Sequence, residues 1–254
     1  MSNASDFIIE NGILVKYSGT EKEVIIPDGI TGIGDYAFYE NLKVERIILP
    51  ESVTVISNSA FELCRKLESI NLPKGLTQIG NQAFRLCRKL KSIEIPGSCQ
   101  STGSEAFFGC SSLETVVLGE GVQKIGGYSF TNCTGLKQIN WPESLEIISM
   151  AAFNSCGSLS ELVLPENIRS IEPSAFGDCI ALNQLVLPKA VMDEIDSKWF
   201  RSRFNNVDLN LMWLGEKTNF DKRVGDFCAK SILRKTMVVL QSLQYFIKKK
   251  GFKL

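Results

Sequence analysis

The apolar positions of this chain recur every 23 residues. Phenylalanine stands at Phe38, Phe61, Phe84, Phe107, Phe130, Phe153 and Phe176. Alanine precedes it at Ala37, Ala60, Ala83, Ala106, Ala152 and Ala175, with Ser129 in the remaining place. Cysteine follows at Cys64, Cys87, Cys110, Cys133, Cys156 and Cys179, with Asn41 in the first slot. Proline keeps the same step at Pro27, Pro50, Pro73, Pro96, Pro142, Pro165 and Pro188, and Gly119 takes the missing position. Self-similarity at a fixed period marks a repeat array.

One unit, residues 67–88, predicts the local structure of all. Leu67, Ile70 and Leu72 point inward along a short strand, the last two with the period of 2 that a strand requires. Pro73 ends that strand, because it donates no ladder hydrogen bond. Leu76 and Ile79 suit a second extended piece, and Gly80 permits the turn after it. The spacing of Ala83, Phe84 and Cys87 predicts a short helical turn with Phe84 and Cys87 on its inward side. No unit buries these side chains alone, so the units must stack into one core with like residues in columns. At about 4.8 Å per strand step, seven units give a stack roughly 34 Å long. One unit departs from the pattern: Cys99 and Thr102 replace the expected apolar pair, which reads as a tolerated local irregularity.

A stack of this kind has two open ends. Residues 1–22 read as a capping hairpin, because Asn11-Gly12 sits between two apolar runs and both residues tolerate φ > 0. The regular repeats span 23–191 and a degenerate terminal repeat spans 192–215. There Trp199 keeps the step from Phe176, and Val207, Leu209 and Leu211 alternate as a late strand. Residues 216–254 read as a basic helical C-terminal cap, with Phe220, Val224, Phe227, Ile232 and Phe246 on its apolar side. This stretch holds ten Lys/Arg against three Asp/Glu, a net charge of +7.

The pattern Leu-x-x-Ile-x-Leu-Pro, then Ile-Gly, then Ala-Phe-x-x-Cys-x-x-Leu resembles the BspA-like (Treponema-type) leucine-rich repeats of bacteria. The resemblance covers roughly residues 23–191. It implies an α/β fold: a curved, right-handed leucine-rich-repeat solenoid with short parallel strands on its concave face. It also implies a binding or adhesion role, and it carries no catalytic residues.

Composition narrows the chemistry. The chain has 254 residues and no histidine, which removes every Ser-His-Asp or Cys-His catalytic set and every His metal ligand. Lys and Arg total 28, as do Asp and Glu, so no chain-wide basic nucleic-acid footprint exists, though a local patch is still allowed. No apolar run reaches the roughly 18 residues of a membrane span. Residues 1–7 show no basic-then-apolar leader. A native start at Met1 implies the cytoplasm; a removed leader implies secretion or the cell surface. The eight cysteines include no CxxC pair, and cysteines in one column point the same way on successive turns. They read as a buried ladder of reduced thiols.

The expected function is non-enzymatic binding of a protein or glycan partner on the concave face, by a monomer without cofactor or metal. The candidate partner-binding residues are Thr115, Val117, Gln138, Asn140, Glu161, Val163, Gln184 and Val186, which occupy the exposed positions of successive strands. Charge alternates along a neighbouring column from Glu68 to Lys137, so stacked neighbours offset one another. The opposite holds at Arg65 and Arg88, like charges in one column beside Lys66 and Lys89. This ridge and the basic C-terminal helix give the alternative reading, a peripheral binder of anionic membrane or polymer, with no specific nucleic-acid site.

Overall fold

The computed structural model describes residues 4–192, 198 and 202–205. Most repeats contribute two short strands. The front strands are Glu23–Ile25, Arg46–Ile48, Ser69–Ile70, Ser92–Ile95, Thr115–Leu118, Gln138–Ile139, Glu161–Val163 and Gln184–Val186. Where they pair, they pair in parallel and one repeat apart: Arg46 faces Ser69, Thr115 faces Ser92 and Gln138, and Glu161 faces Gln184. The side strands are Gly32–Ile33, Val55–Ile56, Gln78–Ile79, Lys124–Ile125, Ile147–Ile148 and Ser170–Ile171, with the same parallel register. The result is a parallel β-solenoid of about eight turns.

Like residues stack on like. The rings from Phe38 to Phe176 form one buried column, with centroids 5.1 Å apart from Phe61 to Phe84 and planes 2° apart at Phe107–Phe130. The column extends at both ends. Tyr17 stacks on Phe38 and Phe7 packs on Tyr17, so the strands β1 (Phe7–Glu10) and β2 (Ile13–Tyr17) close the first repeat with aromatic surface. These two strands pair antiparallel through Asn11 and Gly12, both at positive φ, and β2 then pairs in parallel with Gly32–Ile33. At the far end Phe204 stacks on Phe176 at 5.4 Å. The sequence step had pointed to Trp199, which lies outside the described residues. Phe204 comes 28 residues after Phe176 rather than 23, and the helical turn Lys189–Met192 falls in that longer interval. The cap expected over residues 216–254 and the strand expected at Val207–Leu211 also lie outside the described residues.

One local expectation is corrected. The Ala-Phe-x-x-Cys segment is not a helical turn but a run of tight turns with two left-handed residues in each repeat. In the unit described above these are Gln82 (φ 58°) and Leu86 (φ 60°). A helix would spend its N–H groups on its own carbonyls. Here the Gln82, Phe84 and Leu86 N–H groups donate instead to the Ser104, Ala106 and Phe108 carbonyls of the next repeat. The turns are thereby laced across repeats as the strands are, and these N–H groups are satisfied.

The irregular repeat leaves its mark. Ser101 and Thr102 form only isolated bridges to Lys124 and Ile79, so the side sheet divides there. Thr102 is buried, and its hydroxyl accepts from the Ser129 hydroxyl at 3.0 Å and from the Gly126 N–H at 2.9 Å. The intruding threonine and the serine in the alanine column are therefore one buried pair.

Candidate binding surface

The front sheet offers three exposed columns between the inward Ile/Val/Leu positions. In the first, opposite charges pair one repeat apart: Lys22 with Glu45 (2.9 Å), Glu68 with Lys91 (2.8 Å) and Glu114 with Lys137 (3.0 Å). In the second, Arg46 pairs with Glu23. From Ser160 onward the first column is neutral, so charge pairing concentrates on the N-terminal part of the sheet.

The third column holds Ile25, Ile48, Asn71, Glu94, Val117, Asn140, Val163 and Val186. Alternation along each strand forces these side chains outward, because their neighbours fill the core. Ile25 is 62% exposed, Val117 41% and Val163 45%. The two asparagines behave differently. Asn71 Oδ1 accepts from the Leu49 N–H at 2.8 Å, and its Nδ2 donates to the Leu49 carbonyl at 2.9 Å. Asn140 does the same to Leu118, at 2.6 and 2.8 Å. Each amide stands in for a strand's backbone, donor and acceptor together. The front sheet breaks after each of these repeats, dividing into groups of three, three and two strands. A carboxylate or valine in that slot has no such donor–acceptor pair, and there the strand continues.

The sequence-predicted residues thus fall on one surface with unequal freedom. Gln138, Glu161, Val163, Gln184 and Val117 are exposed, and Thr115 and Val186 are half-buried. Asn140 is exposed but its amide is committed to Leu118. Sequence reasoning missed that commitment; the signal was the recurrence of asparagine in one column at Asn71 and Asn140.

The cysteines are free and buried. Each Sγ of the six periodic cysteines donates to a phenylalanine carbonyl of the preceding repeat, as Cys110 does to Phe84 at 3.2 Å, while Cys99 donates to the Ser101 carbonyl. Burial pushes the Cys64, Cys110 and Cys179 thiols up to about 12 and the Cys87, Cys133 and Cys156 thiols well above their ordinary value. Such thiols are poor nucleophiles and poor metal ligands. Cys228 lies outside the described residues. Among the described residues no group of three His, Cys, Asp or Glu side chains is placed to hold a metal ion.

The parallel strands, the one-repeat register and the leucine and phenylalanine columns define a leucine-rich-repeat solenoid. The chain belongs to the BspA type Leucine rich repeat region family, which matches residues 15–137 and 100–214. It is similar to the crystal structure of the Treponema pallidum leucine-rich repeat protein TpLRR, with 33% identity and a TM-score of 0.67 over 71% of this chain and 90% of that one. It is also similar to a leucine-rich repeat protein from Eubacterium ventriosum, with 25% identity and a TM-score of 0.61 over 74% of this chain. The similarity spans 53% of that longer protein. No curated protein is similar enough to be matched with the chain.

Proposed function

We infer that this chain is a non-enzymatic binding module whose front, concave sheet takes a protein or glycan partner. The observation that carries the reading is the outward apolar column of Val117 and Val163, set among Gln138, Glu161 and Gln184 on either side of the break after Asn140. Polar side chains around apolar anchors are the composition of a recognition surface. Preorganisation by the solenoid lowers the ordering cost of binding.

The test uses arrays of purified proteins and glycans probed with the full chain. Hits are measured again with Val117→Lys/Val163→Lys and with Met150→Lys, an exposed position off the front sheet. The reading predicts that the valine pair loses at least about tenfold in affinity, the scale of one lost interface anchor, and that Met150→Lys binds normally. Full binding by the valine pair would refute the front-sheet assignment.

A further inference from the structure

Six basic side chains of this solenoid meet an acid of a neighbouring repeat. Lys22, Arg46, Lys91, Lys137 and Arg169 do so on their respective faces, and Arg85 is held between Glu62 (2.9 Å) and Glu105 (3.2 Å). The loop that leads from each turn into the front strand gathers five that do not. Arg65 and Arg88 share one column there, and Lys43, Lys66 and Lys89 share the next. All five are exposed, and among the described residues none makes an ion pair. Most acids near them are already engaged, Glu45 by Lys22, Glu68 by Lys91, Glu62 and Glu105 by Arg85, which leaves Glu40 at the Lys43 end against five cations. Lys89 feels the Glu68 charge only at longer range.

The stack fixes this ridge in place. Leu63 and Leu86 adopt left-handed conformations (φ 63° and 60°) that turn the chain immediately before Arg65 and Arg88. The Leu63 N–H donates to the Arg85 carbonyl, and the Ser112 N–H to the Arg88 carbonyl, so the backbone of the three repeats is tied together. Like charges are thus held at the repeat step, close to the 5.1 Å between the Phe61 and Phe84 rings beneath them. They cannot move apart except by rotating their side chains. The next repeat carries Ser111 and Ser112 in the same two positions, so the fold does not require cations there.

The geometry points to a second binding site on this ridge, at Lys43, Arg65, Lys66, Arg88 and Lys89, for a linear anionic polysaccharide. A single small anion leaves most of the five charges unanswered. A polymer with a sulfate or carboxylate on successive sugars meets them in register, because its charge spacing is of the same order as the repeat step. Single-stranded nucleic acid fits less well: residues 62–68 and 85–91, which carry four of the five cations, contain no aromatic side chain on which bases stack, and the exposed Tyr36 and Tyr39 belong to the Lys43 repeat. A membrane fits less well too, since Leu63 and Leu86 are half-buried and the exposed Leu42 and Tyr39 stand at the Lys43 end, away from the other four cations. The site is separate from the front sheet, so either proposal can fail alone.

Heparin, a densely sulfated polysaccharide, is the probe for the full chain. The ridge variant is Arg65→Ser/Lys66→Ser/Arg88→Ser/Lys89→Ser, which copies the neighbouring repeat; the control is Lys16→Ser/Lys74→Ser. The wild type is expected to bind heparin but not uncharged dextran, with affinity falling steeply as salt rises. The ridge variant is expected to lose about tenfold or more and to show a shallower salt slope, while the control stays within about twofold. The C-terminal basic stretch is present in every chain, so the ratio between variants isolates the ridge. Independently, heparin should protect Lys66 and Lys89 of the wild type from an amine-acylating reagent more than Lys16 and Lys74. Unchanged heparin affinity in a folded ridge variant, or equal protection of all four lysines, would overturn the site. Tighter ridge-dependent binding of single-stranded DNA or of phosphatidylserine vesicles would overturn the polysaccharide as its ligand.

Discussion

Replacing Thr102 with valine tests the reading of the irregular repeat. The exchange keeps the shape and removes one hydroxyl. Thr102 Oγ1 accepts from Ser129 and Gly126, so two hydrogen bonds go. The Gly126 N–H has an alternative: the equivalent Gly80 and Gly103 N–H groups donate to the Ile56 and Ile79 carbonyls at 2.8 and 3.0 Å. Ser129 is fully buried and has none in view, and an orphaned buried hydroxyl costs about 1–3 kcal/mol. Thr102→Val alone should therefore cost about 1–3 kcal/mol. Ser129→Ala alone should cost about 1 kcal/mol, one ordinary hydrogen bond. The double variant restores the apolar and alanine positions of the regular repeat and should be near wild type. The cycle predicts a coupling of about 2–4 kcal/mol, the sum of the two single costs, as for residues in direct contact. Urea unfolding followed by far-UV circular dichroism measures it, and each kcal/mol moves the melting point by about 2–4 °C at this size. A Thr102→Val chain as stable as wild type, or two single effects that simply add, would refute the buried pair.

Phe107→Ala or Phe130→Ala, mid-column, should cost about 3–5 kcal/mol by denaturant titration, while Thr115→Ala on the front sheet should cost under about 0.5 kcal/mol. The six periodic cysteines should react with a thiol reagent only after denaturation, and mass measurement without reductant should find no disulfide among them. Their folded thiols titrate above the unfolded ones, so this contribution to stability is complete below the unfolded pKa near 8.5 and is lost as pH rises toward the folded values. The melting temperature should accordingly fall above about pH 9, and Cys110→Ala should flatten that fall. Asn140→Ala should cost about 1–2 kcal/mol through its two bonds to Leu118, and Asn140→Asp, which keeps the acceptor but not the donor, should not restore the wild-type value.

Much of this molecule is legible in its sequence because the period exposes it. The Phe and Cys columns, the outward alternation of Val117 and Val163 and the charge pairs of Glu68 and Glu114 each follow from spacing alone. What escapes is whatever breaks the period or hides in ordinary residues. Gln82 and Leu86 take left-handed conformations without being glycine, because the lacing to the next repeat stabilises them there, so nothing in their identity announces it. Phe204 stands off the step, and the eye follows Trp199 instead. Thr102 and Ser129 are visible as two separate lapses, but they lie 27 residues apart, and only the fold shows them touching. Within the candidate site, positions are legible and commitments are not: Asn140 looks as free as Gln138 until its amide is seen on Leu118.

Binding on the front sheet has a direct spectroscopic readout. Methyl NMR of valine-labelled protein, titrated with a partner found on the arrays, tests it most directly. The account predicts that Val117, Val163 and Val186 shift together and saturate with the partner's own affinity, while the buried Val44, Val53 and Val122 hold still. Shifts confined to valines off the front sheet, such as Val15 and Val55, with Val117 and Val163 unmoved at saturation, would contradict it.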